Sequence, residues 1–289
     1  MKLSVLLVLM AAILWGTTGT AQALAPTNAS PLVIGALRLL IGGGTLLIYI
    51  AFQRNFTIKG IPKKALFISA LAMALYQPFF FSGVHMTGVA IGTVVAICSA
   101  PIFAGLIEWL IYHRLPDWVW GLSTILAVIG CLLLFQSEES IVFDPLGVLF
   151  SLIAGLSFAI YTFVSKSLVA EHPPDVVVAL VFSSAAVFLL PLLFTADLSW
   201  TLQWSGMLSV LHLGILATAL SYILFARGLK GVAASTAVTL ALAEPLTASI
   251  LGLFLLGEKL TLLSGFGLVL LMAGLILLSN KQRFKNVRA

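Results

Sequence analysis

Charge is what this chain of 289 residues has least of. Only 9% of its residues are Asp, Glu, Lys or Arg, where a soluble domain carries about 25%. That scarcity excludes an ordinary water-soluble domain, and an apolar content of 61% excludes a disordered chain. Cysteine is nearly absent. Cys98 and Cys131 both sit in apolar runs, so they suggest neither a disulfide framework nor a metal-binding spacing and read as small buried residues. The four histidines are scattered between positions 85 and 212, with no His-Glu-x-x-His. No metal, no cofactor and no enzymatic nucleophile–base pair is expected from such a set. Gly42-Gly43-Gly44 is not followed by Gly-Lys-Ser/Thr, so it is no phosphate loop. ATP-driven transport would need a nucleotide domain for which this chain has no room. The sustained apolar–polar alternation of an outer-membrane barrel is missing as well.

What is present is hydrocarbon. The mean hydropathy is +1.16, and the apolar runs divide into ten spans at 4–24, 31–52, 62–83, 87–112, 117–135, 145–168, 174–195, 204–226, 231–257 and 261–280. Each is close to the roughly 20 residues that cross a bilayer. Breakers separate them, among them Leu115-Pro116-Asp117, Asp144-Pro145 and Pro173-Pro174. The first run has Lys2 before it and Ala21-Gln22-Ala23 near its end, as a secretory signal would. Its length and the nine spans that follow favour a retained helix. The net charge of +5 would suggest a nucleic-acid partner in a soluble protein, but here it reflects basic loops. With the N-terminus inside, thirteen of the fifteen Lys and Arg fall inside, Lys259 alone lies outside, and Arg38 is within a span. Both termini are therefore expected in the cytoplasm. Trp118, Trp120, Trp200 and Trp204 fall near span ends and fit an aromatic belt.

The ten spans contain a repeat of five. Gly88-Val89-Ala90 matches Gly231-Val232-Ala233, and Trp15-Gly16 matches Phe158-Ala159, at an offset of 143. Pro101 matches Pro245, Gly121 matches Gly265 and Gly130 matches Gly274 at 144. An odd number of spans per unit makes the units, 1–143 and 144–289, run oppositely through the membrane. The fold class expected is thus an all-α integral membrane protein with ten transmembrane helices in a 5+5 inverted-topology repeat. Secondary transporters use this architecture, with substrate held near the midplane beside interrupted helices. Pro101 and Pro245 are the matched candidates for such breaks.

The run from Gly214 to Tyr222, Arg227-Gly228-Leu229, Glu244-Pro245 and Leu256-Gly257-Glu258-Lys259-Leu260 follow one another in an order that resembles the EamA branch of the drug/metabolite transporter superfamily. Arg38 and Trp15-Gly16 fit the same pattern, and the resemblance covers nearly the whole chain. One departure stands out: Gly257-Glu258-Lys259 has as its first-half counterpart Tyr112-His113-Arg114-Leu115-Pro116. The resemblance implies a central cavity lined by helices one to four and six to nine. It puts helices five and ten at the edge, where they could support a homodimer, and it implies a bacterial inner-membrane location. Relatives of this kind include exporters of amino acids and other metabolites.

Ionisable groups inside a membrane are costly and mark function by default. Glu108, His85 and His212 read as interfacial, whereas Arg38 and Glu244 are deep enough to need partners. They could pair with each other, or Glu244 could hold a substrate ammonium or a coupling proton, or be satisfied by free amides near Pro245. The expected cavity lining is Trp15, Thr18, Arg38, Tyr76, Gln77, Thr93, Ser157, Tyr161, Thr218, Ser221, Tyr222, Thr239 and Glu244. Hydroxyls and rings suit a small zwitterion, and helix packing is the competing explanation for each. The expected function is secondary transport of a small metabolite, an amino acid, outward by alternating access. A multidrug, nucleotide or sugar carrier of the same fold is the alternative, and a non-transporting scaffold is the alternative of another class. By the resemblance, small drug exporters carry an acid in the first span, and this chain has none there. The expected partners are the small-molecule substrate and membrane lipid.

Overall fold

Three prolines start helices where the sequence leads one to expect starts. Pro31, Pro145 and Pro174 each occupy a first-turn position, where the missing N–H costs nothing. Asp144 caps the helix after it by accepting from the Leu146 and Gly147 N–H groups at 2.8 and 3.1 Å. The structure, a computed structural model, describes residues 3–26, 29–53, 59–113, 116–134, 144–255 and 261–284. It is all-helical over those residues. We number the helices α1 Leu3–Ala23, α2 Pro31–Ala51, α3 Lys63–Thr87, α4 Val89–Tyr112 and α5 Trp118–Leu134, then α6 Pro145–Glu171, α7 Pro174–Phe194, α8 Trp204–Leu229, α9 Ala234–Leu255 and α10 Leu262–Phe284. Among the described residues nine helices are long and apolar enough to cross a membrane, and α5, with 17 residues, is the shorter tenth. The third and sixth helices run on to Thr87 and Glu171, a turn or so beyond their expected ends. Gly88, at φ 86°, makes the junction of α3 and α4 in a conformation that costs a Cβ-bearing residue strain.

The packing displays the repeat. Exchanging each helix with the one five places on relates the α3–α6 contact to α1–α8 and the α4–α6 contact to α9–α1, and it maps α2–α7 and α5–α10 onto themselves. Successive helices alternate in direction. Ser4 accordingly lies against Gly228 and Gly231, Lys281 pairs with Asp117, and Tyr49 reaches Asp175. One face of the bundle, here the first face, therefore carries the starts of odd helices and the ends of even ones.

Apolar attraction cannot hold helices together in lipid, so close contact must. The stripe Gly147, Ser151, Gly155 and Ala159 on α6 provides it. A Cβ on Gly83 would lie 2.9 Å from the Ser151 N, and one on Gly155 would lie 2.6 Å from the Ala96 O. Gly42 and Gly43 serve the same purpose between α2 and its neighbours α8 and α7. In the edge pair, a Cβ on Gly130 would stand 2.5 Å from the Leu271 N and 2.6 Å from the Gly267 O. Both neighbours are backbone, so Gly130→Ala is expected to separate α5 from α10 at a cost of about 1–3 kcal/mol. Thermal unfolding in detergent should show this as a lowered midpoint.

Of the four belt tryptophans, one is buried and another half-buried. Trp118 and Trp204 are exposed as expected, but Trp200 is fully buried beside Ala21, Ile34, Leu37 and Leu213. Trp120 lies across Gly105. The 3-10 turn Ser199–Leu202 folds the loop back onto the bundle and brings Trp200 with it, which position at a span end does not reveal. Cys98 and Cys131 are free and buried.

Candidate functional site

A narrow cavity of about 50 Å³ lies between the two halves, lined by α1, α2, α3, α4, α6, α8 and α9. Six of the expected lining residues meet there: Trp15, Thr18, Arg38, Tyr76, Tyr222 and Glu244. The rest of the wall is Ala96, Ile97, Ala100, Phe158, Val238, Ala241 and Leu242.

Local backbone irregularities position the polar groups. Helix α1 breaks at Thr17, between Leu3–Gly16 and Thr18–Ala23. Gly16 makes this a tight crossing, since a Cβ there would stand 2.5 Å from the Thr247 Cβ and 2.7 Å from the Glu244 O. Helix α9 breaks at Ala241-Leu242, between Ala234–Leu240 and Ala243–Leu255. Pro245 has no N–H to give the Ala241 carbonyl, and the Glu244 N–H takes that carbonyl instead at 2.9 Å, as Leu242 takes Thr239 at 3.1 Å. The tightened turn leaves Glu244 in the first turn of a half-helix, where a carboxylate is favoured by the peptide dipoles.

The matched break at Pro101 does not occur. Helix α4 is continuous from Val89 to Tyr112 with Pro101 inside it. The two halves therefore differ at their equivalent prolines, and only the second-half proline stands beside an interruption.

Arg38 and Glu244 do not form a direct ion pair, although both face the cavity. Arg38 is held elsewhere. Its Nε donates to Thr218 Oγ1 at 3.2 Å and its Nη2 to the Ala217 carbonyl at 3.1 Å. Both acceptors belong to a π-helical stretch of α8, His212–Leu220. A wider turn loosens the helix's claim on its own carbonyls, which is why such turns gather at functional sites. Thr218 in turn donates to the Leu213 carbonyl at 2.8 Å. Trp15 Nε1 donates to Ser221 Oγ at 2.9 Å, and Ser221 donates to the Thr218 carbonyl at 3.1 Å. Thr218 and Ser221 thus lie outside the cavity wall and orient Arg38 and Trp15. Replacing Thr218 by Val removes the hydroxyl at constant volume. Since one hydrogen bond to a charged group contributes about 1.5–3 kcal/mol, Thr218→Val is expected to raise the KM of transport at least about tenfold while the fold is retained.

The other expected lining residues lie outside the cavity wall. Tyr161 meets Phe182 and Tyr222 edge to face at 5.9 and 5.8 Å. Thr239 bonds Thr124 at 3.0 Å and donates to the Ser235 carbonyl. Gln77 is buried beside Gly35, Ser157 is buried, and Thr93 is half-buried, all outside the wall. Helical position alone cannot say which face of a helix a hydroxyl takes. His212 bonds Thr17 Oγ1 at 2.8 Å, and Glu108 accepts the Ser235 N–H at 3.3 Å. The Gly257-Glu258-Lys259 turn lies outside the described residues.

Known proteins share this architecture. The EamA-like transporter family matches the chain twice, over residues 2–136 and 145–280. The "Uncharacterized transporter YwfM" of Bacillus subtilis (strain 168) is 49% identical over 96% of this chain and 94% of its own length. The "Threonine/homoserine exporter RhtA" of Escherichia coli (strain K12) is 31% identical, with 89% of this chain and 84% of that protein covered. A solved crystal structure superposes with a TM-score of 0.84 at 19% identity, covering 97% of each chain, and it supports the fold. The chain belongs to the EamA-like transporter family. It is a membrane transporter with the two-repeat fold of the drug/metabolite transporter superfamily.

Proposed function

We propose that the protein is a secondary carrier, not an enzyme, that exports small amino acids across a bacterial inner membrane. The observation that carries this reading is the cavity's pair of opposite charges, unbridged and walled by aromatic and aliphatic side chains. A guanidinium with N–H groups to spare suits a carboxylate, a carboxylate suits an ammonium, and rings beside them add cation–π attraction. The export of threonine and homoserine named for one relative supports the substrate class and the direction. The two units, divided at 143/144, would rock about the cavity to open it to either side. Lys63, Lys64, Lys166, Arg227, Lys230 and Lys281 all belong to the first face, which supports a cytoplasmic position for it and for both termini. A homodimer would use the outer surfaces of α5 and α10.

Counterflow in proteoliposomes tests the reading. Vesicles loaded with one unlabelled amino acid should accumulate tracer from outside for a subset of amino acids. Silence across the panel from folded protein would overturn the amino-acid assignment and turn the search to nucleotides, sugars and drugs.

A further inference from the structure

The two ends of the cavity differ in chemistry. Toward the first face lie the rings of Tyr161, Phe182 and Phe225, each at most 1% exposed. Toward the opposite face the rings of Phe79 and Phe80 are only half-buried, and His212 of α8 meets Thr17 Oγ1 of α1 at 2.8 Å, a hydrogen bond between the halves without an ion pair. Beyond the buried rings, at the first face itself, charged groups tie helices of the second half to one another, and through Tyr49 and Glu108 they tie that half to the first. Arg227 of α8 grips Asp175 of α7 in a two-pronged contact, Nε to Oδ1 at 2.8 Å and Nη2 to Oδ2 at 2.5 Å. Tyr49, from α2 of the other half, donates to Asp175 Oδ2 and accepts from Arg227 Nη2, both at 3.3 Å. Glu108 of α4 holds the start of α9 through the Ser235 N–H. Lys166 covers the end of α8 at the Leu229 and Lys230 carbonyls, at 2.8 and 3.0 Å. Both of these last contacts put the charge on the helix end that favours it.

An inverted repeat supplies its own control. The register of 143, or 144 after Pro101, carries each residue to its equivalent at the opposite face. Asp175 maps to Leu32, Arg227 to Val84, Tyr49 to Leu192, Glu108 to Gly252 and Lys166 to Ala23. Every charged or hydroxyl member of the cluster has an apolar or small counterpart.

We propose that this cluster is an ionic gate for the first face, that the opposite gate holds by rings and an uncharged-partner hydrogen bond rather than by ion pairs, and that the empty carrier is therefore biased toward closure at the first face. The gate rests on alternating access but on no particular substrate. Arg227 is 45% exposed and Asp175 12%, so dissolved salt reaches the pair, and at about 1 M screening acts within about 3 Å. Salt should loosen the first-face gate and leave the opposite gate, which has no ion pair to screen, shut.

The test reads access to the cavity from each side. In a background of Cys98→Ala and Cys131→Ala, the cavity residue substitution Thr18→Cys reports reaction with a membrane-impermeant maleimide applied to one face of oriented vesicles. Asp175→Asn is expected to raise labelling from the first face about tenfold and to lower it from the opposite face. The exchange Asp175→Arg with Arg227→Asp should return labelling toward the starting value. About 1 M salt on unsubstituted gate residues should act in the same direction as Asp175→Asn. Should Asp175→Asn not fold, Glu108→Gln and the salt titration read the same gate. First-face labelling indifferent to both salt and substitution would overturn the proposal, as would equal salt responses from the two faces. Labelling needs no substrate, so failure of the amino-acid reading would leave this result intact.

Discussion

Arg38→Met is expected to lower transport about 10- to 100-fold in a protein that still folds. The substitution keeps much of the apolar stem and removes every donor. Two effects add. The Ala217 carbonyl and Thr218 hydroxyl lose a charged partner, and the cavity loses the group proposed to hold a carboxylate. Arg38→Lys separates them. Lysine keeps the charge as a point but cannot give one group to α8 while presenting another to the cavity in the same plane. It should recover part of the maximal rate with KM still raised. The measurement is tracer exchange over a range of substrate concentration, with folding checked by size-exclusion chromatography. Equal rates in the parent and Arg38→Met would remove Arg38 from the site.

Glu244→Gln carries the second large effect. Glutamine has the shape of glutamate without its charge, so the turn before Pro245 should persist. Leaving the bound substrate's ammonium without its proposed carboxylate partner costs about 3–5 kcal/mol if the pair is buried, so exchange of a zwitterionic substrate is expected to fall at least about 100-fold. The discriminating measurement compares an amino acid with the analogue that has lost its amino group. The parent should strongly prefer the amino acid, and Glu244→Gln should have little preference. Gradient-driven accumulation provides a further distinction. If Glu244 also carries the coupling proton, the variant should exchange substrate without responding to a pH gradient. If the variant both exchanges normally and keeps its pH response, Glu244 takes no part.

Much of the architecture was legible because lipid makes simple demands. Backbone groups must be paired internally, so long apolar runs can only be helices here, and Pro31, Pro145 and Pro174 mark where they begin. The site was legible only in its polar half. Arg38 and Glu244 are conspicuous because ionisable groups are costly at that depth. Ala96, Ile97 and Val238 are apolar residues in apolar helices, and nothing in their type separates a cavity wall from a lipid contact. The repeat held a clue for some of the wall. Its register pairs Trp15 with Phe158, and both face the cavity. Trp15 and Phe158 even meet edge to face, at 5.8 Å. The same register misleads at Pro101, because two equivalent prolines need not be in the same state in two halves of a moving protein. The π-helical stretch of α8 left no trace in the sequence, as it contains no proline and its apolar residues continue unbroken.

That stretch has a mechanical consequence. A π turn holds one residue more than a regular helix needs. Were His212–Leu220 to regularise, everything beyond would swivel by about 100°, the angular share of one residue. Tyr222 would leave the cavity wall and Arg227 would be pulled from Asp175. The inner wall and the outer contact are thus geared to one shaft, and neither can turn without the other.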